Sequence, residues 1–407
     1  MTATLGDYFT LQRGNTYQGA LLGQPGPVLL GLASIARNGG FKANNLKTYG
    51  GLSDDRMLLK PGDMYVSLKD VTQSADLLGA VARVPADIHL GRLTQDTVKL
   101  VFKKTGAPTG YLYWLLRTPD YREYCRAHST GTTNLGLARD DFLAFPVPVL
   151  TEERRLIAEL LQTLDDKMEL NRQTNETLEE MARSIFKDWF VDFGPTRAKA
   201  EGRAPYLASD LWSLFPDRLD DEGKPEGWQT GSLLDACELK RGYDLPSAQR
   251  SPGPYPIISS SGATGFHSAF VANGPGVITG RYGTIGEVYF INEPYWPLNT
   301  TLYVRDFKGS SPHFVYYTIS KLDFLKYSDK GAVPGINRNH LHQAQVFMPP
   351  QAVQGIFEQT LTPIWLRRDA NNAESTTLGR LRDLLLPKLM SGKIRVGEAE
   401  ALAVAAQ

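Results

Sequence analysis

The sequence predicts an α+β protein. Two similar small mixed α/β domains should be separated by two long helices that form an antiparallel coiled coil. Three observations predict this. The chain repeats itself at about half its length. Each copy ends in an apolar stripe at helical spacing. The remainder carries short β-like runs broken every few residues by Gly or Pro.

The repeat sets the organisation. Gly136-Leu137-Ala138-Arg139 leads to Phe142, Phe145 and Val147, and Gly335-Ile336-Asn337-Arg338 leads to Leu341, Ala344 and Val346, at an offset of 199 residues. Leu11-Gln12-Arg13-Gly14 is echoed by Leu239-Lys240-Arg241-Gly242, and Tyr111-Leu112-Tyr113-Trp114 by His313-Phe314-Val315-Tyr316. Each copy closes on prolines, Pro146 and Pro148 in one and Pro349 and Pro350 in the other. Any one echo is weak; their common order carries the reading. The order is domain 1–150, helix 151–193, linker 194–226, domain 227–349, helix 350–395 and tail 396–407.

The first helix has a clear start. Thr151 caps it, and Glu152 and Glu153 occupy the first turn, where the helix dipole favours acids. Ile157, Leu160, Leu164 and Met168, then Leu178, Ala182, Ile185 and Trp189, recur in steps of three and four, the seam of a coiled coil. Gly194-Pro195 should stop it. Its 43 residues would extend roughly 65 Å, too long to bury in a small domain, so it needs a partner helix.

That partner is the second stripe: Ile356, Leu361 and Ile364, then Leu378, Leu381 and Leu385. Both stripes turn polar midway, at Asn171 and Asn175 and at Asn371 and Asn372. In an antiparallel pair the centres meet, so these amides either bond each other and fix register or simply face solvent. Pro363 should kink the second helix or delay its start.

Within the domains, strands are expected at Val98–Phe102, Val277–Thr279, Val288–Ile291 and Leu302–Val304, with one helix in each domain near 110–125 and 313–326. Residues 194–226 are Gly, Pro and acidic residues with little periodicity, and read as a linker.

Composition excludes several classes. Of 407 residues 42% are hydrophobic and 22% charged, a globular balance. Only Cys125 and Cys237 are present, which suits a reducing cytoplasm and gives no zinc-site spacing. Met1 to Leu11 lacks the basic head and apolar stretch of a signal peptide, and no apolar run reaches membrane-span length. Net charge is zero, yet the two domains carry +4 and +2 and the first helix −5, with −2 on the linker and +1 on the C-terminal segment. That segregation permits nucleic-acid contact by the domains without a bulk polycation.

Three tempting motifs are rejected. Asn292-Glu293-Pro294-Tyr295 looks like the Asn-Pro-Pro-Tyr of DNA amino-methyltransferases, but Glu replaces the first proline and no cofactor loop accompanies it. Pro216-Asp217 with Glu222 and Lys224 crowds a nuclease-like set into one polar segment. His340 and His342 offer no clean metal spacing with acids.

What remains is loops rich in the side chains that read base edges and phosphates. In the first domain these are Arg37, Asn38, Lys42, Asn44 and Asn45, then Thr130, Thr132 and Asn134 ahead of Arg139. In the second they are Ser260, Ser261, Thr264 and His267, then Gly-flanked Arg281 with Tyr282, and Asn337 with Arg338. Each alone reads equally as polar surface; the candidate site is the set.

The run from Arg183 to Pro195 (RSIFKDWFVDFGP) resembles the end of the first central helix in the specificity subunit of type I restriction-modification systems. Leu384 to Ile394 (LLLPKLMSGKI) resembles that family's second-helix ending. Leu214-Phe215-Pro216-Asp217, Pro225-Glu226-Gly227-Trp228 and Gly274 to Gly286 are also similar to the family.

The resemblance implies two target-recognition domains, each reading through the major groove one half of a split, asymmetric site in double-stranded DNA. The helix pair would set the gap, since major-groove faces recur every ~34–36 Å. It also implies a non-catalytic chain in the cytoplasm without a cofactor of its own, serving phage defence. Two modification subunits would bind S-adenosylmethionine and methylate adenine, and a restriction subunit would use ATP and Mg. The acidic first helix fits a protein partner, with Met181, Phe186, Phe190 and Phe193 off the seam as docking candidates. The other readings are a self-contained DNA methyltransferase or nuclease, and a scaffold that binds only proteins.

Overall fold

The structure is a computed structural model that describes residues 3–43, 45–132, 134–328 and 335–399. The chain forms two units. One takes the described residues of Met1–Asn171 and Asn372–Gln407, the other Arg172–Asn371.

In the first unit a four-stranded antiparallel sheet has the order Phe9–Arg13, Thr97–Phe102, Met64–Ser67, Val81–Arg83. In the second the order is Glu238–Arg241, Thr301–Asp306, Gly276–Gly280, Val288–Ile291, again antiparallel throughout. By position along each copy the strand order is the same, so the sequence repeat is a repeat of topology.

A smaller three-stranded sheet accompanies each. Gly91–Leu93 pairs parallel with Val28–Leu30 and antiparallel with Leu58–Leu59. Tyr255–Ser259 pairs antiparallel with Gly262–His267 and parallel with Trp296–Pro297.

The echoes now have causes. Leu5–Tyr8 opens with a capping box of Thr4 and Asp7, and Leu233–Ala236 with one of Ser232 and Asp235. The Leu5 amide donates to the Phe145 carbonyl and the Leu233 amide to that of Ala344, at 3.0 and 2.8 Å. A Cβ on Gly14 would overlap the Thr94 carbonyl, and one on Gly242 the Leu298 carbonyl, so the Leu-x-Arg-Gly repeat ends in glycine where two backbones touch.

The long helices run Glu152–Phe190 and Gln351–Met390. In the first unit Ile157, Leu161 and Leu164 join Leu378, Leu385 and Leu389 in one core with Phe9, Leu100, Trp114 and Phe142. In the second, Ala182, Phe186, Trp189 and Phe190 join Val353, Phe357, Leu361 and Trp365 with Leu239, Val304 and Phe314. The start of one helix meets the end of the other in each unit, so the pair is antiparallel.

Of the mid-helix amides, Asn171, Asn175 and Asn371 bond between the helices, while Asn372 is exposed. Asn171 Nδ2 donates to Glu374 Oε2 at 2.7 Å, and Asn371 Nδ2 donates to Asn175 Oδ1 at 2.8 Å, with Asn171 and Asn371 buried.

Three expectations need correction. Pro363 does not delay the second helix, which starts at Gln351 and continues past the proline to Met390. The ring removes one donor, leaving the Gln359 carbonyl without its usual amide partner, while burial of Leu361 and Trp365 on either side holds the helical path. The helix near 110–125 is two, Thr109–Leu115 and Pro119–Ala127, because Pro119 cannot continue the first. Thr118 Oγ1 accepts the Tyr121 amide and caps the second.

The segment after the first long helix is not a loose linker. Phe193 adopts a left-handed backbone, Gly194–Ala200 and Ser209–Ser213 are helical, and Phe215 and Phe193 are buried in the second unit's core. Too short for a periodic signal, these elements are fixed by their aromatic anchors.

Candidate nucleic-acid interface

In the first unit the Arg37 turn is built on left-handed backbone: Asn38 has φ 62°, Gly39 104° and Gly40 111°. The Asn38 amide donates to the Asp76 carbonyl at 2.8 Å and the Gly40 amide to that of Val81 at 2.8 Å. This presents Arg37, Asn38 and Lys42 to solvent, with Asn45 exposed further on; Asn44 lies outside the described residues.

Thr130, Thr132 and Asn134 are exposed at the tip of a hairpin joining Ser129–Thr130 to Leu135–Leu137. Lys69–Asp70 is its third strand. Asp70, fully buried, accepts from the amides of Thr72 and Leu77 at 2.7 Å each, and so shapes the loop whose Asp76 holds Asn38. One chain of bonds therefore ties the Arg37 turn to the Thr130 hairpin. Arg139 is exposed, but its guanidinium donates to the Leu11 carbonyl, which makes it a clamp on the neighbouring strand.

In the second unit the structure brings most candidates together. Ser260 and Ser261 form the turn between Tyr255–Ser259 and Gly262–His267, with Gly262 at φ 94°. Thr300 bonds the Ser260 amide through Oγ1 at 3.4 Å, and its carbonyl accepts the amides of Arg281 and Tyr282 at 2.8 and 3.2 Å. Tyr282 bridges to Gly335, two residues before Asn337. Arg281 lies 4.5 Å over the Tyr282 ring, which stiffens both side chains. Asn337 caps the helix Arg338–His342, its Oδ1 accepting the Asn339 amide at 3.0 Å, and Arg338 is exposed on the first turn. Ser261 and Thr264 stay on the exposed face of the hairpin.

His267 departs from the expected set. It is buried, receives the Ser251 amide on Nδ1 at 3.1 Å and lies against Trp296. Sitting on a strand rather than in the loop, it falls on the inward side of the pleat. Ser260 is also largely buried, and its carbonyl accepts the Tyr289 hydroxyl at 3.3 Å, so it supports the turn. His342 is likewise structural: its Nε2 accepts the Leu239 amide at 2.9 Å, and burial, with Arg338 nearby, lowers its pKa.

The proposed docking aromatics need the same correction. Phe186, Phe190 and Phe193 are buried in the second unit's core, Phe190 meeting Phe357 edge-on at 4.9 Å and Phe193 meeting Trp228 at 5.8 Å. A helix held between a partner helix and a domain buries a wider face than a two-residue seam. Met181 alone of the four remains half-exposed.

A cavity of about 800 Å³ in the second unit is lined by Tyr289, Tyr316 and Tyr317 with Arg183, Lys187 and Lys321, none of them among the candidate binding or docking residues. Among the described residues there is no group of three or more His, Cys, Asp or Glu side chains able to hold a metal, and no helix is long and apolar enough to cross a membrane.

Comparison with known proteins agrees with this architecture. The family described as type I restriction modification DNA specificity domain matches residues 225–374. The specificity subunit of the type I restriction enzyme MjaIX of Methanocaldococcus jannaschii is 24% identical over 330 residues, covering 75% of this chain and 73% of that one. That of the HindI enzyme of Haemophilus influenzae is 24% identical over 353 residues, covering 70% and 77%. The crystal structure of the type I restriction-modification S subunit from M. genitalium aligns over 96% of this chain and 95% of that one, with a TM-score of 0.54 and 15% identity, and so shares the fold. With residues 225–374 matched by the family and the fold shared with a solved S subunit, the chain is similar to the type I restriction-modification specificity subunits.

Proposed function

We propose that the chain is the non-catalytic DNA-recognition subunit of a type I restriction-modification complex, acting in the cytoplasm. Each domain reads one part of a bipartite, asymmetric duplex site, and the helix pair sets the number of base pairs between the parts and carries docking surface for two modification subunits. Those subunits supply S-adenosylmethionine chemistry, and a restriction subunit supplies the ATP- and Mg-dependent step.

The observation that carries this reading is the duplicated topology. Two domains with one strand order present different side chains at matching positions: Leu68 and Lys69 follow Met64–Ser67 where Arg281 and Tyr282 follow Gly276–Gly280, and Ala138 stands where the second domain has Asn337. A repeated frame with unlike loops suits a reader of two unlike half-sites.

The test exchanges residues 227–349 for the second domain of another family member and maps the methylated motif in cells carrying the complex. One half-site should change while the other half and the gap persist. A change in both halves, or in neither, would refute the modular reading.

A further inference from the structure

In the first unit a depression of about 370 Å³ is lined by Arg37, Arg117, Arg122, Arg126 and Arg382, with Asp383 the one carboxylate in its wall. These arginines come from distant parts of the chain: the Arg37 turn, the helix Pro119–Ala127 and the residues just before it, and the second long helix. Five guanidiniums converging on one hollow need an explanation, because like charges repel unless something offsets them.

Part of the offset is internal, and it sorts the five into two sets. Arg117 donates to Asp165 Oδ2 at 3.0 Å and lies 4.5 Å over Trp114, and Arg382 donates to Asp165 Oδ1 at 2.6 Å and to Asp383 at 2.7 Å. Arg122 is buried, donates to the carbonyls of Ala75, Asp76 and Leu78, and keeps a buried Nε with no partner. These three form a rigid cationic floor. Arg37 and Arg126 form the rim. Arg37 is 3.9 Å from Asp76 with its side chain 80% exposed, and Arg126 is exposed with no ion pair among the described residues. Counting Asp76, Asp165 and Asp383 against five arginines leaves two positive charges. The positive end of the helix Pro119–Ala127 adds to the field, since Pro119 lines the hollow.

We infer that this arginine-lined hollow seats the phosphodiester backbone of the duplex, so that Arg37 and Arg126 position the DNA without reading its sequence. This rests on the DNA-recognition reading and deepens it. A fixed floor with exposed cations at an open rim suits a charged strand that enters and leaves, and the guanidinium fork matches phosphate oxygens. The hollow begins at the turn that the Asp70 loop ties to the Thr130 hairpin, so a backbone held here keeps its bases beside that hairpin. Arg37 and Asn38 are thereby moved from base reading to positioning.

The test measures binding of labelled duplexes, cognate and scrambled, by the complex reconstituted with modification subunits over a series of salt concentrations. It compares the unaltered chain with Arg37→Ala/Arg126→Ala and with Arg126→Lys. Both alanine sites are exposed, so the fold should survive, and circular dichroism checks it. The double variant should lose affinity for both duplexes by the same factor, about tenfold or more. Its log–log salt slope should be shallower by roughly one to two, at ~0.9 per phosphate contact. Arg126→Lys should keep most of the slope.

An unchanged slope and affinity would overturn the assignment, as would a loss confined to the cognate duplex, which would make these residues base readers. Calorimetric titration of the chain with inorganic phosphate separates the other source of the same chemistry. Phosphate binding lost in the double variant, with the DNA slope unaltered, would make the hollow a free-anion site and also overturn the assignment. Failure of the unaltered complex to bind duplex is a distinct result, and would bring down the DNA-recognition reading itself.

Discussion

The two units solve one packing problem with different chemistry. Each seats a four-stranded sheet of the same order on the helix pair. In the first unit the helices contribute mainly aliphatic side chains, Ile157, Leu161, Leu164, Leu378, Leu385 and Leu389. In the second they contribute Phe186, Trp189, Phe190, Phe357 and Trp365. The charged contacts invert as well. Asp165 anchors two arginines in the first unit, whereas Arg368 in the second lies 3.7 Å over Trp365 with Asp369 at 2.9 Å and Glu179 at 3.8 Å. The topology depends on backbone requirements, such as the capping boxes and the close approach at Gly14 and Gly242, while the core filling is free to differ as long as volume is conserved.

The largest expected effect probes that difference in filling. Phe357 is fully buried and meets Phe190, Trp189 and Phe186 within 4.9 to 5.9 Å. Phe357→Ala should destabilise the second unit by about 3–5 kcal/mol. Leu385→Ala, at an equally buried place in the first unit, should fall lower in the ~2–5 kcal/mol range, because it loses no ring–ring contacts worth ~0.5–1.5 kcal/mol each. Hydrogen exchange resolved by unit is the measurement. If Phe357→Ala loosens both units equally, the two cores are not separate as described.

Next comes the inverted charge. Asp165→Ala strips a part-buried carboxylate from both Arg117 and Arg382 and leaves two guanidiniums facing each other. A loss of about 3 kcal/mol, confined to the first unit, is expected from breaking such a pair. Arg368→Met in the second unit exchanges the guanidinium over Trp365 for a thioether against the same ring and removes ion pairs to the more exposed Asp369 and Glu179, so ~1 kcal/mol or less is expected. Equal losses would mean that the arginines of the first unit do not depend on Asp165.

Much of this comparison was legible in the sequence, and the limits have physical causes. The Leu-x-Arg-Gly echo was readable because a steric contact between backbones demands glycine in both copies. The polar gap in the helix stripes was readable because Asn175 and Asn371 sit where apolar residues recur, and they do bond. Phe186 and Phe190 read in sequence as docking surface because a heptad stripe reports one face only, and the domain-facing side has no period of its own. His267 reads in sequence as a loop residue because glycines disguise the strand Gly262–His267. The arginine hollow was invisible because Arg37, Arg126 and Arg382 meet only through folding.

The smallest difference concerns acid stability. Capping-box carboxylates occur in both units. Backbone and side-chain bonds from Thr4 hold Asp7 below its ordinary value, and bonds from the Ser232 side chain and backbone do the same for Asp235, so their effect is common to both. Glu358 belongs to the second unit alone. Burial pushes its pKa up, but the bond to His313 Nδ1 at 2.7 Å, the charge of that ring and the His313 amide at 3.1 Å outweigh it, and the net shift is downward from 4.5. A carboxylate depressed by folding adds stability above its unfolded value, and that contribution is lost as pH falls through the lower folded value. The second unit should therefore weaken more steeply than the first below about pH 4.5. Glu358→Gln retains an acceptor for the His313 amide while removing the titration, so unit-resolved exchange between pH 5 and 3 should show the second unit's acid limb flattened in that variant. An unaltered limb would place the acid sensitivity elsewhere and leave the two units alike in their response to protons.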